Sequence, residues 1–258
     1  MEVINITGID ISHYQEGLDL SLLKDSEYRF VILKLSEGRT LADPSFDKFY
    51  SACEANGIPV GAYVYSHATN VSVATEEAVH ALALLKGRKL PLGLYMDVET
   101  SGQMQIPKEQ LKDTVLAFVK TVSNAGYKAG IYGSEYNVFA RLSTEDFKDY
   151  SLWVAHYGHK PAIYCDLWQK TDKGSFPSWY SSVDVDEIMS DRMKRLVEAK
   201  AVPAKDPVSQ TFPPNPSIKQ IQYVMWDNDY WPIEEINGYK SARFFNKLRE
   251  FVDDMEKI

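Results

Sequence analysis

The sequence predicts an α/β protein: an irregular TIM-like (β/α) barrel of about eight strands with few helices in its last third, followed by a small helical C-terminal module. Three observations support this fold class. Short apolar runs recur along most of the 258 residues, segments with helical periodicity separate the early runs, and acidic residues stand at the ends of several. Alternating strands and helices are typical of a parallel sheet, and acids at strand ends are typical of a barrel mouth.

Eight segments have the length and composition of buried strands. They are Thr7 to Ser12, Phe30 to Leu35, Pro59 to Ser66, Leu92 to Glu99, Lys128 to Gly133, Leu152 to Tyr157, Cys165 to Gln169 and Val183 to Ile188. After Tyr150 little chain is left between strands for helices, so an irregular barrel fits better than an ideal eightfold one.

Three segments between the early strands are predicted to be helices: Pro44 to Asn56, Ser72 to Leu85 and Lys108 to Asn124. The third has the clearest period, because its apolar side chains fall on one stripe. These are Leu111, Val115, Phe118, Val119 and Val122. Pro107 near the start of this helix and Gly126 just past its end are typical helix boundaries.

Composition excludes several classes of function. A formal net charge of -8 argues against a broad phosphate-binding surface, so nucleic acid is not an expected partner. No run of about eighteen apolar residues occurs, and the N-terminus lacks a basic region followed by an apolar one, so we expect neither membrane insertion nor a signal peptide. The histidines and cysteines have no metal-ligand spacing, and no phosphate loop appears, so we expect no metal and no cofactor.

Carboxylates stand at the ends of the predicted strands. Asp97 and Glu99 end the segment LGLYMDVET, and side chains two apart on a strand share a face. Crowding two carboxyls raises the pKa of one of them, so the pair can supply an acid beside an anion. For an isolated D-x-E, a turn cap at Asp97 and a solvated loop residue at Glu99 would be the favoured explanation. Asp10, Glu37 and Asp184, however, also fall at the C-terminal ends of apolar segments, which converge on one mouth in a barrel.

Aromatic side chains occur at the same strand ends. They are Tyr63, Tyr65, Tyr132, Trp153, Tyr157 and Trp168, and with Glu37 and Gln169 they make up the predicted substrate-binding set. Acids ringed by aromatic faces and hydroxyls suit sugar rings, which stack through their C–H faces. Packing inside the barrel is the alternative for each, and we favour Trp168 and Tyr63 for contact with a sugar.

Nine motifs follow one another along the chain: GIDISHYQEG, FVILKLSEG, DPSF, ACEANGIPVGAYVY, YMDVE, AGIYGS, LWVAHYG, LWQK and VDVDEI. Their sequence and order resemble those of the family 25 glycoside hydrolases, the Chalaropsis-type lysozymes. The resemblance covers roughly Gly8 to Met189.

The resemblance implies hydrolysis of the β-1,4 bond between N-acetylmuramic acid and N-acetylglucosamine in bacterial peptidoglycan. Carried over by motif, the essential acids are Asp10, Asp97, Glu99 and Asp184, with Glu99 as the general acid. Configuration would be retained, either through the substrate's own 2-acetamido group held by Asp97 or through Asp97 as the nucleophile. Asp186 faces the same way as Asp184 and leaves the assignment of that acid open.

Two other functions stay open on the residues alone. A metal-dependent polysaccharide deacetylase would use Asp10, Asp97 and Glu99 as oxygen ligands. A non-catalytic wall-binding module would keep the barrel without the chemistry. A wall substrate lies outside the cytoplasmic membrane, so a chain without a signal peptide is expected to reach it by lysis or holin-type export.

The C-terminal part of the chain predicts a separate module. Residues 201–216 hold five prolines and read as a semi-rigid linker between a barrel over 1–200 and a module over 217–258. Two amphipathic segments, Ile218 to Trp226 and Ser241 to Met255, predict the module's helices. Binding to the cell wall and self-association are both open roles for it.

Overall fold

Eight strands close into a barrel in the computed structural model, which describes residues 5–201. The strands are β1 (Thr7–Ile11), β2 (Tyr28–Glu37), β3 (Leu41–Ala42), β4 (Val60–Tyr65), β5 (Leu94–Asp97), β6 (Ala129–Ser134), β7 (Ser151–Ala155), β8 (Leu167–Phe176) and β9 (Trp179–Ile188). The helices are α1 (Phe46–Ala55), α2 (Val71–Leu85), α3 (Ser101–Gln105), α4 (Lys108–Asn124) and α5 (Asp191–Ala201). The three predicted helices correspond to α1, α2 and α4, whereas α3 and α5 were not predicted.

The barrel is a mixed sheet. Its strands follow the order β1, β2, β4, β5, β6, β7, β8, β9, and β9 returns to β1. Neighbours from β1 to β8 are parallel, whereas β9 is antiparallel to both of its neighbours. The two-residue strand β3 pairs with β2 outside this ring. The prediction of an irregular eight-stranded α/β barrel is confirmed.

The direction of β9 corrects one premise of the sequence prediction. Asp184 was expected at the C-terminal end of its strand, but it lies inside β9, four residues before the end. It still reaches the barrel mouth, because β9 runs antiparallel and pairs Asp184 with Asp10 of β1. The reversal follows from chain length: a two-residue turn between Phe176 and Trp179 permits a hairpin, whereas a parallel crossover needs a dozen or so residues.

The tip of the β8–β9 hairpin packs against the start of β2. The hydroxyl of Tyr28, at the start of β2, donates a hydrogen bond to the carbonyl oxygen of Ser175 at 2.9 Å. The rings of Tyr28 and Phe176 stack with centroids 6.3 Å apart. The last third of the barrel therefore buries apolar surface with a strand pair in place of a helix.

Outward-facing strand residues and the inner faces of the helices form the hydrophobic core. All five residues of the predicted apolar stripe on α4 are buried, and this helix packs against α2, β5 and β6. At the start of α2, the Asn70 side chain accepts a hydrogen bond from the Val73 N–H at 3.1 Å. At its end, Lys86 and Gly87 both have positive φ, which stops the helix.

Within residues 5–201, no helix has the length and apolar character needed to cross a bilayer. The predicted linker beyond residue 201 and the predicted helices at Ile218 to Trp226 and Ser241 to Met255 lie outside the described residues.

Close packing at Gly130 of β6 makes the barrel sensitive to one added methyl group. A Cβ there would overlap the ring of Tyr95 and lie 2.8 Å from the carbonyl oxygen of Ser151. We expect Gly130→Ala to lower the free energy of unfolding by about 1–3 kcal/mol, measured by urea denaturation. Gly102→Ala is the matched control, because its added methyl group would meet only Thr69 Cγ2, at 3.6 Å. Equal losses in the two variants would contradict this account.

Candidate active site

An open cavity of about 360 Å³ lies at the C-terminal ends of the parallel strands. It is lined by Asp10, Ser12, Tyr14, Lys34, Glu37, Tyr63, Tyr65, Asp97, Glu99, Tyr132, Trp153 and Gln169. All but three of the predicted site residues are in this set. The exceptions are Asp184, Tyr157 and Trp168, and the lining residues that were not predicted are Ser12, Tyr14 and Lys34.

Asp97 and Glu99 share the cavity but differ in exposure. Asp97 is the last residue of β5 and is only 4% exposed, and its Oδ1 has no hydrogen-bond partner among the described residues. Glu99 lies beyond the strand and lines the same cavity; the residue is exposed to solvent, although its carboxyl group is partly buried. The pair therefore combines a buried carboxyl with an accessible one.

Burial and charge hold protons on this pair. Burial, with repulsion from Glu99 and Asp10, raises the pKa of Asp97 well above its usual range. Burial also raises the pKa of Glu99, against the opposing effect of Lys34. Two interacting carboxyls with raised pKa values titrate as a unit. The pair can thus hold one proton and one negative charge at pH values above the ordinary range of a carboxyl group.

A relay of buried polar side chains fixes the backbone of Glu99. The N–H groups of Glu99 and Thr100 donate to Gln103 Oε1, at 3.1 and 3.0 Å. Gln103 Nε2 donates to Ser66 Oγ at 3.2 Å, and that hydroxyl donates to Glu77 Oε2 at 2.5 Å. Gln103 and Glu77 are both fully buried. Helices α2 and α3 thereby hold the main chain that carries Glu99.

The relay was missed by the sequence analysis, although one signal was present. Thr100 and Gln103 are spaced as in a capping box, which marks a helix start directly after the acidic pair. The short helix α3 begins there, and its capping glutamine is the residue that holds Glu99.

Gln169 links the acids of two strands to two phenols. Its Nε2 donates to Asp10 Oδ2 at 2.9 Å and to Asp184 Oδ2 at 3.4 Å. Its Oε1 accepts from the hydroxyls of Tyr132 at 2.8 Å and Tyr157 at 3.0 Å. Asp184 and the half-exposed Tyr157 thus join the cavity's network through Gln169, although neither lines the cavity itself.

Asp184 and Asp186 differ in what they can reach. Trp153 Nε1 donates to Asp186 Oδ1 at 2.7 Å, and Asp186 is fully buried. Asp184 is partly exposed beside Asp10. This difference favours Asp184 as the acid that a ligand can touch, with Asp186 and Trp153 forming the floor.

Comparison with known proteins identifies the family. The family model described as Glycosyl hydrolases family 25 matches residues 9–179. The chain belongs to glycosyl hydrolase family 25. The resemblance that the sequence motifs indicated is therefore confirmed.

Relatives of this family 25 chain include proteins that were named for lysis. An autolytic lysozyme of Clostridium acetobutylicum is 31% identical over 183 residues, which cover 70% of this chain and 55% of that protein. The chain thus spans about half of that lysozyme's length.

Two solved structures share the fold. A family 25 glycosyl hydrolase from Bacillus anthracis aligns with a TM-score of 0.67 at 18% identity, over 77% of this chain and 94% of that one. The catalytic domain of endolysin ply40 from bacteriophage P40 of Listeria monocytogenes aligns with a TM-score of 0.64 at 25% identity, over 76% and 99%.

Lys34 is the charged lining residue that the sequence analysis missed. Strand alternation would place Lys34 and Ser36 on one face, but the pairing of β2 with β4 skips Leu35. This bulge turns Lys34 and Glu37 into the cavity together, with Lys34 Nζ 2.7 Å from Glu37 Oε2. A lysine inside the apolar run FVILKLSEG was the available signal.

Ser12 and Tyr14 come from a short turn after β1. The Ser12 hydroxyl accepts from the Tyr14 N–H at 3.3 Å, and the Ser12 N–H donates to Gln15 Oε1 at 3.0 Å. His13 Nδ1 lies 2.8 Å from Asp43 Oδ2. These contacts fix the turn and leave the Tyr14 ring 77% exposed at the rim.

Trp168 does not line the cavity, contrary to the expectation that it contacts a sugar. Gln169 faces inward on β8, so the preceding side chain faces outward. The indole N–H of Trp168 donates to the carbonyl oxygen of His156 at 2.7 Å, and its ring belongs to the hydrophobic core. We therefore leave Trp168 out of the proposed substrate contacts.

Removing the charge of Asp97 should stabilise the fold. Between the ordinary pKa of an aspartate and the raised value, folded Asp97 binds more protons than the unfolded chain, so stability falls as pH rises. We expect Asp97→Asn to raise the free energy of unfolding at neutral pH by about 1 kcal/mol or more. Below the unfolded pKa both forms are protonated, and the gain disappears.

Urea denaturation at pH 7 and pH 3 measures this difference. Asp113→Asn, at an exposed position on α4, is the matched control and should change stability by less than about 0.5 kcal/mol at either pH. A change in the free energy of unfolding of Asp97→Asn that is the same at both pH values would contradict the prediction, because an effect of Asp97 ionisation must depend on pH.

The relay predicts a local effect at Glu99. Gln103→Ala leaves the N–H groups of Glu99 and Thr100 without their acceptor. We therefore expect the free energy of unfolding to fall by about 1–3 kcal/mol. Amide hydrogen exchange at both positions should also become faster. Gln110→Ala on α4 removes one exposed hydrogen bond, to the carbonyl oxygen of Thr69, and serves as the control. An unchanged rate of amide exchange at Glu99 in Gln103→Ala would contradict the inference that Gln103 holds the main chain there.

Proposed function

We propose that this family 25 chain is an N-acetylmuramidase, which hydrolyses the β-1,4 bond between N-acetylmuramic acid and N-acetylglucosamine in bacterial peptidoglycan. The observation that carries the proposal is the pairing of accessible Glu99 with buried Asp97, whose Oδ1 is unpartnered. A glycosidase needs one carboxyl that donates a proton and a second group that stabilises the developing positive charge. The name of the Clostridium relative, an autolytic lysozyme, agrees with this substrate.

Glu99 is proposed as the general acid. Burial raises the pKa of its carboxyl, which favours the protonated form that a general acid needs. The pKa of Asp97 is raised further in the free protein, but an acetamido N–H donated to Asp97 would stabilise its ionised form and leave the shared proton on Glu99. Its side chain is exposed to the cavity, where a glycosidic oxygen can approach it. The hydrogen bond to Gln103 holds its main chain, so the carboxyl group donates its proton from a fixed position.

Asp97 is proposed to orient the substrate's 2-acetamido group. A buried carboxylate oxygen without a partner is costly, and an acetamido N–H would satisfy it. Held in this way, the acetamido oxygen attacks the anomeric carbon while the bond to the leaving oxygen breaks and Glu99 gives that oxygen its proton. Water then attacks the same carbon from the opposite face, the bond from that carbon to the acetamido oxygen breaks, and the water gives a proton to Glu99, with overall retention of configuration.

Direct attack by Asp97 is the alternative route to retention. A thiazoline analogue of the N-acetylated sugar distinguishes the two, because it imitates the cyclic intermediate of acetamido attack. Strong inhibition by this analogue supports the substrate's own nucleophile. A covalent glycosyl adduct on Asp97 supports the alternative.

The remaining lining residues supply the sugar contacts. Tyr63, Tyr65 and Tyr132 offer ring faces and hydroxyls, and Asp10 and Asp184, to which Gln169 donates, offer acceptors for sugar hydroxyls. Glu37 lines the same wall beside Lys34, and half-exposed Tyr157 extends the contacts to the rim. We expect action on the cell wall after release by lysis or holin-type export. Wall binding or self-association by residues 217–258 stays a prediction.

Digestion of purified peptidoglycan tests this function. We expect the wild type to create new muramic acid reducing ends, identified by borohydride reduction and mass spectrometry. Glu99→Gln keeps the shape but cannot donate the proton, so we expect its rate to fall by about 100-fold or more. Glu109→Gln, at an exposed position on α4, is the control and should keep full activity.

Other products would identify other functions. Released acetate and chelator-sensitive activity would indicate a deacetylase, although no three His, Cys, Asp or Glu side chains within residues 5–201 are grouped to hold a metal ion. New glucosamine reducing ends would show that the enzyme cleaves the other glycosidic bond of the glycan, on the reducing side of N-acetylglucosamine. Tight binding without cleavage would indicate a wall-binding module.

A further inference from the structure

The cavity concentrates negative charge around one cation. Asp10, Glu37, Asp97 and Glu99 all line it. Among the described residues that line the cavity, Lys34 alone carries a positive charge. A lysine that is only 8% exposed is unusual in a strand, and buried cations are retained where they have charged partners.

The position of Lys34 is fixed on two sides. Its Nζ donates to Glu37 Oε2 at 2.7 Å and lies 5.0 Å from the centre of the Tyr65 ring. Glu37 is held in turn by His67, whose Nε2 lies 3.0 Å from Glu37 Oε1. The bulge at Leu35 makes this geometry possible, since regular alternation would turn Glu37 away from Lys34.

The charge of Lys34 reaches both catalytic candidates. It lowers the pKa of Asp97 and of Glu99, against the upward effect of burial on each. Without an opposing cation, the two carboxyls would both be protonated over a wider range of pH. That state has no anion to hold an acetamido N–H.

We propose that Lys34 is a positioning residue of the site: held by Glu37, its ammonium group lines the same cavity as Asp97 and Glu99 and keeps one negative charge on that pair while the other carboxyl carries the proton. The inference rests on the proposed muramidase function and deepens it. Lys34 does not transfer a proton itself. It determines the pH range in which the acid and the anion coexist.

The other titratable groups around Lys34 come from several elements. They are Asp10 on β1, Tyr63 and Tyr65 on β4, His67 after β4, and Asp97 and Glu99 at the end of β5. Lys34 Nζ is the cation among them that reaches into the cavity, so its removal changes the charge there by one full unit.

The pH profile of kcat/KM tests the proposal. Lys34→Met keeps the length of the side chain and removes its charge, so the pKa values of both carboxyls should rise. Both limbs of the bell-shaped profile should then move to higher pH, by about one unit, with a roughly tenfold lower rate on the acid side. Lys34→Arg keeps the charge and should restore most of the wild-type profile.

Two further variants complete the test. Lys170→Met on β8 makes the same change outside the cavity, where Lys170 Nζ lies 3.4 Å from Glu187 Oε2, and should leave the profile unchanged. Glu37→Gln removes the anion that neutralises Lys34, so the limbs should move to lower pH. This shift to lower pH tests the role of Lys34 even if Lys34→Met fails to fold.

Two results would overturn the proposal. One is a fall in rate that is equal at every pH in Lys34→Met, which a merely structural role would produce. The other is an unmoved profile in both Lys34→Met and Glu37→Gln. Carboxyl titration by NMR in ¹³C-labelled protein reads the same shifts without turnover. If the wild type makes no new reducing ends, the muramidase assignment fails, and this titration still decides the role of Lys34.

Discussion

Repulsion among carboxyl groups at the barrel mouth is the constraint on which the rest of the site depends. Burial, together with the charges of neighbouring carboxylates that include Glu99, raises the pKa values of Asp10, Asp97 and Asp184. The fold tolerates this crowding because each acid has a nearby donor or counter-charge where one can be fitted. Gln169 donates to Asp10 and Asp184, and Trp153 donates to Asp186. Among the described residues, Asp97 Oδ1 and Asp186 Oδ2 are buried without a hydrogen-bond partner, and of these two acids Asp97 lines the cavity, which is where we place the substrate.

The barrel holds these mutually repelling carboxyl groups in a defined geometry. Parallel strands bring Asp10 and Asp97 to one mouth, and the antiparallel hairpin strand β9 adds Asp184 from the opposite chain direction. Behind the strands, the buried relay through Gln103 and Ser66 ties Glu99 to the helical layer. The crowded charges of the site lower the stability of the fold, whereas the buried hydrogen bonds around it raise that stability, because hydrogen bonds are stronger in a low-dielectric interior. Such a trade-off between stability and function is common at functional sites.

Local pattern was sufficient for much of the fold. Helix α4 was predicted with its true bounds, because an amphipathic period with Pro107 and Gly126 at its ends depends only on nearby residues. The extra length of β8 and β9 was not predicted, because their outer halves are polar and exposed and carry no apolar run. Their strand structure comes from pairing with each other and from the packing of Phe176 on Tyr28.

The sequence by itself determined the family, the order of the strands along the chain, and the pairing of Asp97 with Glu99, because motif order and a period of two are local properties. The tertiary structure alone decided the reversed direction of β9, the register of the strands and the direction in which individual side chains face. Trp168 faces the core because Gln169 faces the cavity, and Lys34 faces the cavity with Glu37 because β2 slips by one residue against β4. A bulge or a reversed strand depends on contacts with a distant segment, and no local pattern of side chains encodes which partner that segment will meet.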